Sequence, residues 1–225
     1  MNKKILEWKP LKASDIEVRY CSENEKTGKV TLLLYQDSRC TQKALDEQFG
    51  TFGWQIDYKD LGGQLYGTLS VYDEEKGVWI GKSDTGDCSN ISEKKGQASD
   101  ILKRCAVRWG FGKELYTAPT IRVPNDGYKC SGYKVSLVDY NSSREIIDLV
   151  IVNRFGKVMW TMDSNYSKLK EWYKALIPTV TDKKTVNMIV EFCTEYKDKA
   201  NTLYNFKPQV EFEKWLSKKN NVIAA

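Results

Sequence analysis

Residues 54 to 86 constrain the fold of this chain more than any other stretch. "WQIDYKDL", "QLYGTLSVYD" and "GVWIGKSDTG" each alternate aromatic or aliphatic residues with polar ones, and only "GG" and "DEEKG" separate them. Alternation of this kind is the mark of a half-buried strand. Parallel neighbours need a crossover of about a dozen residues or more, so connections this short allow only an antiparallel meander. A helix follows. In "ASDILKRCAVRWGFGKELY", Ala98, Ile101, Leu102, Cys105, Ala106 and Trp109 recur at i, i+3 and i+4, the stripe of a helix that packs on one side. Ser92 and the run from Glu93 to Gln97 supply start signals, and Gly110 and Gly112 stop it. Strands in succession and then a helix predict an α+β fold with an antiparallel β-β-β-α core, not an alternating α/β one.

On the N-terminal side, "ASDIEVRY" and "KVTLLLYQ" read as strands, and Arg39 to Phe49 as a short helix capped by Gly50. The texture changes beyond Pro119. "TIRVPNDGYKCSG" is turn-rich, "YKVSLVDY" and "IIDLVIVNRFGKVMW" form a further hairpin region turning at Gly156, and the remainder has helical spacing. The expected division is a core over residues 1–119 and, over 120–225, a hairpin followed by a mostly helical C-terminal region. The aromatic residues of that region read as core or subunit contacts.

The chain has no histidine, which removes Ser-His-Asp and Cys-His catalysis and histidine–metal sites. Its six cysteines (Cys21, Cys40, Cys88, Cys105, Cys130 and Cys193) form no C-x-x-C pair. They read as free thiols in a reducing compartment rather than a zinc site or a disulfide framework. No apolar run has membrane-spanning or signal-peptide length, so a cytoplasmic protein without a membrane partner is expected. "GVWIGKS", Gly77 to Ser83, looks like a phosphate-binding loop. It has three residues between its glycines where that motif has four, and it lies within a strand pattern. Binding without cofactor, metal or catalysis is the expectation.

The net charge is +5, and its placement is uneven: residues 1–119 hold 18 basic and 18 acidic residues, residues 120–225 hold 17 and 12. Within the neutral part, Lys94, Lys95, Lys103, Arg104, Arg108 and Lys113 face a single acid, Asp100, across residues 94–113. Such a cluster is either a solvated helix face or the footprint of a polyanion. Beside strands carrying Trp54, Tyr58, Tyr66, Tyr72 and Trp79, the second reading is single-stranded nucleic acid gripped by its phosphates. A rival reading takes Asp84 or Asp87 with Glu93 and Lys95 as a magnesium-dependent nuclease site. A third is a plain single-strand-binding protein.

The order of these features resembles the DNA-annealing domain of the Rad fifty-two/Rad twenty-two double-strand-break-repair family, in particular its bacteriophage recombinases. The resemblance rests on two landmarks around a meander, within residues 30–118. One is Arg39, Phe49, Gly50, Gly53 and Trp54; the other is Ser99, Asp100, Lys103, Arg104, Trp109, Gly110 and Gly112. It implies an ATP-independent single-strand annealing protein, working as an oligomeric ring or helical filament on single-stranded DNA and an annealed duplex intermediate. By position, Arg39, Lys103 and Arg104 match the inner-groove residues that hold phosphates; Lys94, Lys95 and Arg108 are candidate DNA contacts from the charge cluster alone. The family's outer DNA site uses lysines at the meander turns; Lys76 sits one position off that pattern and Lys82 has no clear counterpart. A host single-strand-binding protein or a phage exonuclease is the further partner class, in a bacterial host cytoplasm.

Overall fold

The computed structural model describes residues 6–86, 93–125, 132–203 and 206–223. It is α+β, with antiparallel sheets and a helical C-terminal region. The chain forms two compact units, one comprising residues 1–22 and 32–118 and the other residues 23–31 and 119–225. Strands β1 (Glu17–Asn24) and β2 (Lys29–Tyr35) make a hairpin whose tip therefore counts with the second unit. The stretch "ASDIEVRY" is not all strand. Ala13–Asp15 is a one-turn 3-10 helix, because the Asp15 carboxylate accepts the Lys12 N–H at 3.0 Å and closes the chain on itself before β1 begins.

In the first unit, α1 (Ser38–Phe49) is capped by Asp37, which accepts from the Arg39 N–H. The meander consists of β3 (Trp54–Leu61), β4 (Gln64–Asp73) and β5 (Val78–Thr85), paired antiparallel in the order β3-β4-β5. Helix α2 (Glu93–Arg108) packs on β4 and β5. Its Ile101, Leu102, Cys105 and Ala106 are buried together with Leu69 and Val71 of β4. The approach is close: a Cβ on Gly67 would lie 2.2 Å from Ile101 Cγ2, so β4 is bare where α2 crosses it. Register puts Ile56, Leu69 and Lys82 on one row and Tyr58, Gly67 and Asp84 on the next, all on the α2 side.

The family-like landmarks are largely explained by packing. A Cβ on Gly53 would fall 2.0 Å from the Phe49 carbonyl oxygen, so only glycine makes the turn from α1 into β3. The Trp54 indole then donates to Asp46 of α1 at 2.8 Å. After α2, Gly110 (φ 95°) and Gly112 (φ 70°) take left-handed conformations that reverse the chain. Trp109 donates to the Leu69 carbonyl oxygen at 3.1 Å and accepts the Trp8 indole on its own carbonyl at 2.7 Å. The rings of Trp8, Phe49, Trp109 and Phe111 close this end of the unit.

In the second unit, β6 (Ile121–Pro124) lies in the passage read as turns. Ile121 and Val123 are buried, but two apolar residues in a four-residue strand are too few to show alternation. Strands β7 (Tyr133–Tyr140), β8 (Ile146–Asn153) and β9 (Val158–Thr161) pair antiparallel in sequence. Three helices follow: α3 (Asn165–Leu176), α4 (Lys183–Lys199) and α5 (Pro208–Ile223). Phe192, Phe212 and Trp215 pack with Leu169 and Ile189 into their core, and Tyr166, Trp172, Tyr173 and Tyr196 are partly buried against it. Among the described residues no helix is long and apolar enough to cross a membrane.

Candidate nucleic-acid interface

The cations of α2 do not all stand in solvent. Arg104 Nη2 lies 3.2 Å from Asp84 Oδ1 and Arg108 Nε lies 2.7 Å from Asp84 Oδ2, so one carboxylate of β5 fastens both guanidiniums. The Asp84 side chain is 12% exposed. Burial by itself would raise its carboxyl; hydrogen bonds from Arg108, the Thr85 N–H and Arg104 outweigh that and hold it below its ordinary value. Burial likewise opposes the charge on Arg104, and the bond to Asp84 more than compensates, so its pKa is raised. Lys103 pairs with Asp100 one turn back at 3.5 Å, its side chain 23% exposed, with its ammonium 5.8 Å from the Tyr35 ring centroid.

Lys82, from β5, joins the same cluster. Its ammonium donates to the Arg108 carbonyl oxygen at 2.8 Å, at the C-terminus of α2, and lies 4.2 Å from the Trp109 ring centroid. Asp84 answers Arg104 and Arg108, Asp100 answers Lys103, and Lys82 rests on a backbone carbonyl, so four cations meet two carboxylates and leave a surplus of two positive charges on this face. Lys76 is not brought to it. It sits at the β4–β5 turn and pairs with Asp73 at 2.9 Å. Arg39 is exposed in the first turn of α1 and has no ion-pair partner among the described residues. The side chains of Lys94 and Lys95 lie outside the described residues, as do Asp87 and Ser92.

A cleft of about 190 Å³ opens beside these cations, between the end of β2, one face of α2 and the 3-10 turn Lys113–Thr117. Tyr35, Gln36, Lys103, Arg104 and Tyr116 line it. The Tyr35 hydroxyl is pushed up to about 12 by burial and by its hydrogen bond to Glu17. Desolvation at its hydroxyl also raises Tyr116, against the lowering effect of Arg104. Neither tyrosine ionises near neutrality. Tyr35, Gln36 and Tyr116 carry no sequence signal of their own; only the fold assembles them.

Chemically, this face can hold anionic oxygens. The nuclease reading finds little support in it, because Asp84 spends both oxygens on guanidiniums rather than facing a cation. The side chains of Glu93 and Lys95 lie outside the described residues. Among the described residues no three His, Cys, Asp or Glu side chains gather as a metal site. The thiols of Cys21, Cys40, Cys105 and Cys193 are free; Cys88 and Cys130 lie outside the described residues. Burial pushes Cys40 and Cys193 up to about 11 and raises Cys105, so these three are not thiolate nucleophiles near neutral pH. Gly77 to Ser83 runs through the turn into β5 and not from a strand into a helix, so it lacks the geometry of a phosphate loop.

The fold and this face together define an antiparallel α+β unit with a cationic helix face. No family model matches the chain, and no solved structure matches it. Among curated proteins, the single-stranded DNA-binding protein DdrA of Deinococcus radiodurans is 27% identical over 116 residues, a stretch covering 49% of this chain and 52% of DdrA. The chain thus spans about half the length of the curated relative it matches.

Proposed function

We propose that the chain is an ATP-independent single-strand DNA-annealing protein that holds a strand by its phosphates on the α2 face of the first unit. The observation that carries this reading is the gathering of Lys82, Lys103, Arg104 and Arg108 on one face that holds only two carboxylates, Asp84 and Asp100, against them. The exposed Arg39 and the similarity to the single-stranded DNA-binding protein DdrA also support it. Phosphate contacts position a strand without reading its sequence. Annealing uses that indifference: bases left free test a second strand by pairing, and pairing supplies the specificity. Assembly into a ring or helical filament would multiply a weak grip per subunit into a tight, salt-sensitive one. The proposed setting is strand pairing in recombination and double-strand-break repair in a bacterial host, with a host single-strand-binding protein or a phage exonuclease as partner.

The second reading, a plain single-strand-binding protein, is favoured by the name of DdrA alone. Arg39→Ala/Lys103→Ala separates the two when compared with wild type in duplex formation from complementary labelled oligonucleotides. The expected result is loss of at least tenfold in protein-dependent pairing rate with unchanged size on a sizing column. A double variant that pairs strands at the wild-type rate contradicts the proposed grip, and wild-type protein that binds but retards pairing favours the plain coat.

A further inference from the structure

We propose that the cleft between Tyr35 and Tyr116 is a nucleobase pocket that takes one unpaired base per subunit from a strand held on the α2 face. The proposal rests on the single-strand reading above and goes beyond it, because phosphate contacts alone require no pocket. Its first ground is Gln36. This side chain lines the cleft, is 3% exposed, and its Oε1 makes no hydrogen bond. Buried amide oxygens are rarely left so, and each such atom calls for an explanation. Gly112, in a left-handed conformation at φ 70°, lies close against this amide: a Cβ there would fall 2.7 Å from Gln36 Nε2.

The second ground is the wall around it. Tyr116 is 64% exposed at the rim, a large aromatic surface open to solvent beside Lys103 and Arg104. Aromatic rings beside cations are what a base and its phosphate require of a single-strand site. The third ground is size. At about 190 Å³ the cleft falls below the ~300 Å³ at which drug-sized ligand sites begin, which suits one planar base and not a whole nucleotide cofactor. Every base carries an N–H on its pairing edge, so the Gln36 amide, whose terminal torsion is soft, can meet any of them. The pocket is therefore indifferent to sequence but sensitive to the presence of a base. One captured base per subunit leaves its neighbours free to pair.

The test compares a normal single strand with a strand of equal length in which every residue is abasic, by fluorescence anisotropy with full-length protein. Wild type is expected to bind the base-bearing strand about tenfold more tightly. In Tyr116→Ala, a substitution at an exposed position, the two affinities converge. Gln36→Leu, of similar volume, narrows the gap as well, and its urea midpoint checks that it folds. Equal wild-type affinities for the two strands overturn the pocket while leaving the phosphate grip standing. Failure to bind either strand overturns both. A Tyr116→Ala protein that keeps the full preference also overturns the pocket.

Discussion

At the scale of single residues, Asp84 sets how much of the α2 charge is available. Each of its oxygens holds one guanidinium. Asp84→Asn therefore frees Arg104 and Arg108 and is expected to tighten single-strand binding several-fold by anisotropy, while costing about 1–2 kcal/mol of stability in urea. The pH dependence has a definite sign. The Asp84 carboxyl is held below its ordinary value in the fold, so the unfolded chain takes up its proton first as pH falls. Its contribution is complete above the unfolded value of about 3.9 and is lost as pH drops through the lower folded value. Stability curves of wild type and Asp84→Asn should converge in that acidic window and separate above it. Lys103 acts through phosphate: Lys103→Ala is expected to reduce the slope of log affinity against log salt by about 0.7, the value for one contact to a single strand. An unchanged slope would remove Lys103 from the grip.

At the scale of elements, the platform under these cations depends on the β4–α2 crossing. Gly67→Ala would push a methyl to 2.2 Å from Ile101 Cγ2 and is expected to cost about 1–3 kcal/mol. Ile101→Ala is expected to cost about 2–5 kcal/mol. Their combination should cost less than the sum, since the new methyl enters the space the isoleucine vacates; strictly additive urea data would mean the two do not touch. These elements were legible because their signals are local. The alternation of Trp54–Leu61, Gln64–Asp73 and Val78–Thr85 and the stripe of Ile101, Leu102, Cys105 and Ala106 are written in consecutive residues. The cations of α2 were legible for the same reason. Their pairing was not: Asp84 meets Arg104 and Arg108 only through the register of β5 and the seating of α2. Gln36 was silent for a related reason, because Gly112, which lies against its amide, is far from it in sequence.

At the scale of the molecule, every residue of the proposed grip and pocket comes from the first unit, while the second closes its own core around Phe192, Phe212 and Trp215. On the proposed reading, a strand held by its phosphates on the first unit pairs faster than a free one. Stopped-flow duplex formation between two labelled complementary oligonucleotides, with wild-type protein, chelator and no nucleotide, across a salt series, decides this. The expected result is acceleration at low salt that disappears in step with strand binding as salt rises. Clear binding with pairing no faster than in free solution at every salt concentration would contradict it.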